Sequence, residues 1–365
     1  MHNRFSKKLL QQAPTFDEYR QMKHFNALDG MRAIGVILVI FDHTGGEHIK
    51  WLSGWLGVHI FFVMSGFLIT TLLLREQDKN GRVSLCDFYI RRVFRIFPVY
   101  YLILAITIVQ TSALGGESWV QLKHAWPYYA TFLNEQKFVA PWKITWTMGI
   151  EWKFYLVWPL IAFFLPLGAK TKSVIMIFTL VVLSLLWDNP YIGGVCHYIV
   201  LLVGAITAML LHYHKTFNIL RYLMNPFASF VLLSCVGVMQ IYVIHIAAIA
   251  GGYGGGQGIL LYGIVVAMFL PTLIGNSPIN AILKSRPFAY VGHRSYSLYL
   301  IQVLAWQAVV GIDPTMTPSV AKAVLTSVVG LIFADSLYRW VEMPMISIGK
   351  QLSLKLKMRY SVTKI

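Results

Sequence analysis

Ten apolar runs, each about as long as a bilayer's hydrocarbon core is thick, follow one another through this chain and limit its fold more than any other feature. They fall at roughly 29–47, 54–74, 97–115, 149–168, 173–188, 194–212, 227–249, 257–275, 289–310 and 320–341. A helix needs about 20 apolar residues to cross ~30 Å of hydrocarbon, and within lipid only helices and closed barrels satisfy every backbone polar group. The expectation is an all-α, polytopic transmembrane helical bundle of about ten spans. Composition agrees: 57% of the 365 residues are hydrophobic, 13% are charged and the mean hydropathy is +0.61, too little polar surface for a soluble globule. A shorter run around 124–135, holding Pro127 and Asn134, reads as interfacial or re-entrant rather than spanning.

The net charge of +16 is not a nucleic-acid footprint, because the basic residues sit in short segments between apolar runs. If the N-terminus is cytoplasmic, the inside segments hold 23 of the 31 Lys and Arg, and the outside segments hold only Lys50, Lys123, Lys137 and Lys143. That bias places both termini in the cytoplasm and the chain in the cell inner (plasma) membrane. Residues 1–27 read as a retained cytoplasmic arm, 28–348 as the membrane domain and 349–365 as a basic cytoplasmic tail; the arm lacks the apolar core of a signal peptide. Cys86, Cys196 and Cys235 are too widely spaced for a disulfide framework or a zinc site, and no metal is expected. The stretch GGYGGGQG at 251–258 reads as a flexible loop.

Ionisable groups inside spans are costly to hold, so each is a functional candidate. The first span carries Asp29, Arg32, Asp42 and His43. Arg32 and His43 are eleven residues apart, three turns plus about 20°, so they share one helix face about 16 Å apart. His59 and Ser65 on the second span, Glu151 on the fourth and Gln302 on the ninth are expected at a similar depth to His43, in the outer half. Together they suit general acid–base chemistry in a low-dielectric cavity. The competing reading of His43 is a histidine bonded between helices for packing, and His59, His197 and His245 fall toward outer span ends, where an interfacial histidine needs no special role. Arg91, Arg92 and Arg95 lie just before a helix with Pro98. Arg92 and Arg95, at i, i+3, address one anionic group together, as a phosphate-bearing ligand or a lipid headgroup requires.

Taken in order, the segments LDGMRAIGVILVIFDH (28–43), GVHIFFVMSGFLITTLLL (57–74), FYIRRVFRIFPVYYL (88–102), TWTMGIEWKFYLVWPL (145–160), YVGHRSYSLYLIQ (290–302) and YRWVEMP (338–344) resemble the acyltransferase 3 family of membrane O-acyltransferases. The resemblance puts the family's Arg-x10-His motif on Arg32 and His43, its RxxR motif on Arg92 and Arg95, and a motif glutamate on Glu151. It implies transfer of an acyl group, usually acetyl from cytoplasmic acetyl-CoA, to a hydroxyl of a sugar: a cell-surface polysaccharide such as O-antigen, or another carbohydrate or lipid-linked glycan acceptor. On that reading Arg32, Arg91, Arg92 and Arg95 hold acyl-CoA. His43 is the base or transient acyl carrier, and Asp42 or Glu151 orients it. His59, Ser65, Tyr299 and Gln302 are further candidates for acceptor or oxyanion contacts. The chain departs from many members by carrying Gln302 where they have a histidine, and its end at Ile365 gives the expectation of no appended SGNH-type domain. A proton-coupled transporter or flippase is the rival reading, because intramembrane Arg, His and Glu suit it too. A partner that has lost catalysis is the third.

Overall fold

The computed structural model describes residues 13–135, 142–164, 195–249 and 256–362, with positions 171, 175, 178, 179 and 182 between them. All regular structure among these residues is helical. Helices occupy nine of the ten intervals expected to span. The interval 173–188, four positions apart, lies outside the described residues, as do residues 1–12, part of the glycine-rich stretch and Lys364. Six stretches are long and apolar enough to cross a membrane: Gly54–Asn80, Leu85–Leu114, Val195–His212, Pro226–Val243, Ser295–Ile312 and Val320–Leu356. The chain divides into two compact units, one of residues 1–81, 166–295 and 317–324, the other of 82–165, 296–316 and 325–365.

In the first unit the short helix α1 (Phe16–Gln21) opens with a capping box, in which Thr15 and Glu18 satisfy each other's backbone N–H groups. It is docked by Arg75, whose guanidinium lies over the rings of Tyr19 and Phe25 and donates to the Tyr19 carbonyl. Helix α2 (Asn26–Thr44) holds Asp29, Arg32 and Asp42 within 19 residues, too much charge for an unbroken apolar span. It packs on α3 (Gly57–Asn80), which in turn packs on α7 (Val195–His212). The last contact is unusually close: a Cβ on Gly66 would meet the Leu201 carbonyl oxygen at 1.9 Å, and one on Gly204 would meet that of Val63 at 2.0 Å. Such small-residue crossings suit membrane helices, which associate by packing rather than by the hydrophobic effect. Helices α8 (His214–Leu220), α9 (Pro226–Ile249), α10 (Gly256–Phe269), α11 (Pro278–Leu283) and α12 (Arg286–His293) complete the unit. Buried Gln240 of α9 accepts from Tyr262 of α10 and donates to the carbonyls of Leu52 and Ser53.

The second unit is organised along α4 (Leu85–Leu114), which starts twelve residues earlier than the apolar run and therefore carries Arg91, Arg92 and Arg95 inside the helix rather than before it. At 1.5 Å per residue its 30 residues run for about 45 Å. The chain turns at Gly115, and α5 (Gly116–Ala130) runs back along α4: the Tyr100 hydroxyl donates to the Tyr129 carbonyl and that of Tyr101 to Ala130. The expected re-entrant segment is thus a helix that begins eight residues earlier than its apolar run and ends halfway along α4. Helix α6 (Trp146–Pro159), extended by a π-helical turn at Leu160–Phe164, continues in the same direction. Trp142, just before it, packs on Tyr100; Trp152 packs on Phe97; and Tyr89 donates to the Leu156 carbonyl. Helices α5 and α6 thus lie along α4 one after the other, α5 ending and α6 starting near the level of Tyr100. There Asn134 donates to Thr145 and Lys153 pairs with Glu135.

Helix α13 (Ser295–Ile312) lies along α4, with the Tyr296 hydroxyl bonded to the Ile96 carbonyl. Helix α14 (Val320–Leu337), a π-helical turn (Tyr338–Glu342) and α15 (Met343–Val362) follow without a break, and Val320–Leu356 counts as one helix of 37 residues. Buried Ser353 of α15 donates to buried Asp87, which ties the tail beside the first turns of α4.

Candidate functional site

The expected site residues fall in both units. In the first unit Arg32, three residues after Asp29, donates to its carboxylate at 2.9 Å, and His293 Nε2 of α12 approaches the other carboxylate oxygen at 3.3 Å. This contact requires α12 to lie on the backbone of α2, and Gly292 permits it: a Cβ there would meet the Asp29 carbonyl oxygen at 2.0 Å. His43 is exposed in the last turn of α2, at the far end from Arg32, and Asp42 is half-buried. Consecutive helical residues point about 100° apart, so the Asp42 and His43 side chains leave α2 in different directions.

His59 and His197, on α3 and α7, form a buried pair with Nε2···Nδ1 at 3.1 Å. The bond joins the two helices, and both rings are enclosed rather than placed at an exposed span end. Ser65 lies on α3, half-buried, six residues further along.

The second unit gathers more than the sequence reading anticipated. Arg91 pairs with Asp87 at 3.3 Å, and Arg92 lies over the rings of Phe88 and Tyr155 at 5.5 and 5.6 Å. Arg95 makes no ion pair among the described residues. Glu151 lies on α6 next to Trp152, whose ring packs on Phe97, two residues beyond Arg95 on α4. The Tyr296 hydroxyl is in electrostatic reach of Glu151, Glu342 and Arg95. Glu342, 2% exposed on the π-helical turn, accepts from buried Ser297 at 2.6 Å. One turn along α13, Tyr299 donates to the Ile144 carbonyl and accepts from Thr147, and Gln302 donates to the Tyr299 carbonyl. The Tyr299 bonds join α13 to the start of α6, whereas this Gln302 bond stays within α13.

His293, Tyr296, Ser297 and Glu342 went unselected by the sequence reading. All four sit inside segments quoted above, 290–302 and 338–344, but at the ends of apolar runs, where a polar residue needs no special explanation. Each unit carries its own cations and carboxylates on its helices, Arg92, Arg95 and Glu151 in one and Arg32, Asp29 and His43 in the other. Arginines of this kind suit a phosphate-bearing ligand, and a histidine suits proton transfer. Among the described residues no three His, Cys, Asp or Glu side chains are grouped to hold a metal ion.

A family model described as an acyltransferase domain matches residues 25–339. A putative O-acetyltransferase of Staphylococcus aureus (strain COL) is 30% identical over 362 residues, covering 90% of this chain and 58% of that protein. The peptidoglycan O-acetyltransferase OatA of Listeria monocytogenes serovar 1/2a is 26% identical over 358 residues, covering 88% of this chain and 56% of its own length. The chain thus spans little more than half the length of these relatives. No solved structure matches it.

Proposed function

We propose, from the premise that this chain belongs to the acyltransferase 3 family, that it is a multi-pass membrane O-acyltransferase. It moves an acyl group, acetyl by the names of its relatives, from cytoplasmic acyl-CoA to a hydroxyl of a carbohydrate or lipid-linked glycan. The observation that carries this reading is the grouping of Arg92, Arg95 and Glu151 along one stretch of α4. Arg92, flanked by two rings, has its guanidinium plane set before any ligand arrives, and Arg95 keeps its charge for a ligand. Arg91 contributes through Asp87 rather than by direct contact. On the charge bias both termini are cytoplasmic, about ten spans cross the inner membrane, and the Arg-bearing end of α4 faces the cytoplasm.

In the reaction His43 takes the proton of the acceptor hydroxyl as its oxygen attacks the thioester carbonyl, or carries the acyl group in transit as an acyl-imidazole. Arg32, held by Asp29, adds positive charge along the donor's path. The test is labelled acetyl transfer in membranes bearing the wild type or His43→Ala, given acetyl-CoA and an extract of envelope glycans. Label in the glycan fraction with the wild type alone supports the assignment; equal transfer by the variant refutes the role of His43.

One observation favours the transporter reading: α5 and α6 lie one after the other along α4 as two short helices, and broken helices are common in secondary transporters. Proton-coupled glycan uptake without acyl transfer is the result that would support it.

A further inference from the structure

Helices α4 and α13 bound a groove of about 620 Å³ that lies wholly on the second unit, in the size range of small-molecule sites. Ile106, Val109, Leu304 and Ala308 give it an apolar lining, to which Gln110 and Gln307 add two carboxamides. Among the described residues neither carboxamide makes a side-chain hydrogen bond, and Gln307 Oε1 is a buried acceptor without a partner. An unpaired carboxamide at hydrocarbon depth is costly, and a glutamine in a span ordinarily bonds to a neighbouring helix. Two of them on one groove, with no protein partner, call for a polar group supplied from outside the protein.

Helix geometry gives the groove its depth and its polarity. The Tyr296 hydroxyl is bonded to the Ile96 carbonyl, and Tyr299 reaches Ile144, beside the level where Trp142 packs on Tyr100. Helix α13 therefore runs in the same direction as α4, with residue 296 level with 96. Ile106 and Leu304 mark one end of the groove, and Gln307 and Gln110 follow toward the other. At 1.5 Å per residue Ile106 stands about 16 Å beyond Arg95 and Gln110 about 22 Å, in a hydrocarbon core ~30 Å thick. With the arginine end of α4 cytoplasmic, as proposed above, the apolar end of the groove lies near the bilayer midplane and the polar end in the outer half. Val109, nine residues after Tyr100, leaves α4 about 180° from it and is 67% exposed, so the groove opens to the lipid on the face away from Trp142.

A lipid of the outer leaflet has the same layout, with its tail at the midplane and its polar end outward. The ester groups of a diacyl phospholipid only accept hydrogen bonds and would leave the carboxamide oxygens unpaired, whereas sugar hydroxyls both donate and accept. We propose that this groove seats the anchor of the acceptor, a sugar carried on a hydrocarbon chain in the outer leaflet. Its tail lies on Ile106, Val109 and Leu304, and its sugar-bearing end bonds to Gln110 and Gln307. This rests on the acyltransferase reading and names the acceptor class: lipid-linked rather than soluble or polymeric.

The test uses the full chain in nanodiscs with labelled acetyl-CoA and an envelope extract divided into an organic phase, which holds lipid-linked sugars, and an aqueous phase. With the wild type, label enters the organic phase and passes to water once mild acid has cleaved sugar from lipid. Val109→Trp fills the groove from its exposed side, and Gln110→Leu combined with Gln307→Leu removes both carboxamides. Each lowers transfer into the organic phase about tenfold at limiting acceptor, with KM for acetyl-CoA and the unfolding temperature unchanged. Label confined to the aqueous phase with the wild type overturns the proposal. So does transfer by both variants at the wild-type rate, which assigns the groove to bulk lipid, and so does a loss of transfer matched by a lower unfolding temperature in both, which assigns it to packing. No label in either phase refutes the acyltransferase reading itself, and the proposal with it.

Discussion

Replacing Arg92 with Lys keeps the charge and removes the stacking, so it separates two contributions that an alanine substitution would mix. The guanidinium lies 5.5 Å from the Phe88 ring centroid and 5.6 Å from that of Tyr155. A cation over one ring contributes about 0.5–1 kcal/mol at an accessible site, so two rings supply about 1–2 kcal/mol toward holding the group in a single orientation. Lysine retains part of the attraction but has no planar fork to pre-set against a phosphate. The expected loss is about 1.4 kcal/mol, a tenfold rise in KM for acetyl-CoA with kcat little changed. The assay is initial-rate acetyl transfer in membranes across a range of acetyl-CoA concentrations, with Tyr155→Leu and the double variant measured alongside. If the rings act by ordering Arg92, Tyr155→Leu adds little once Arg92 is lysine, a non-additivity that only coupled groups show. A KM within twofold of wild type for Arg92→Lys, or strictly additive effects in the double variant, would falsify the argument that aromatic stacking prepares this cation.

Gly204→Ala places a Cβ 2.0 Å from the Val63 carbonyl oxygen, and relief to an ordinary 3.4 Å moves α7 from α3 by about 1.4 Å. The expected cost is ~1–3 kcal/mol, read as a lowered unfolding temperature in nanodiscs, with loss of the His59–His197 bond carried by the same two helices. Ser297→Ala leaves the buried Glu342 carboxylate short of one hydrogen bond and should destabilise by ~1–3 kcal/mol; an unchanged unfolding temperature would show that the bond contributes nothing. The Glu18 carboxyl is held below its usual value of 4.5 by the Thr15 backbone and hydroxyl. Its contribution to α1 is therefore full above that value and is lost as pH falls through the lowered one. Amide exchange in α1, corrected for its intrinsic pH dependence, should show protection falling in that window, and Glu18→Gln should abolish the step.

Hydropathy made the bundle legible because an apolar run of bilayer length has few other uses, and nearly every run did become a helix. It failed where two shorter helices lie along one long helix. Residues 116–130 include Glu117, Gln121, Lys123 and His124, so their mean hydropathy hides a helix that follows α4 for half its length. Arg92 and Arg95 were recognisable from their spacing, but the pairing of Arg91 with Asp87 depends on a helix beginning at Leu85, before the apolar run gives any sign of one. Glu342 sits one residue past the expected end of its run and next to a proline-containing turn; its burial comes from Ser297, distant in sequence. Contacts of that kind leave no periodic trace.

The unbroken helix from Val320 to Leu356 has a consequence beyond its span. At 1.5 Å per residue its 37 residues extend for about 55 Å, whereas the hydrocarbon core takes up only ~30 Å. Some 25 Å must therefore stand clear of the lipid tails, with Ser353 bracing it to Asp87 and the first turns of α4. The inner leaflet is negatively charged, and its field decays over ~8 Å at physiological ionic strength. With the orientation and acyl donor proposed above, a landing stage of this height lets a polyanionic ligand meet its first arginines beyond most of the repulsion that would greet it at the membrane surface.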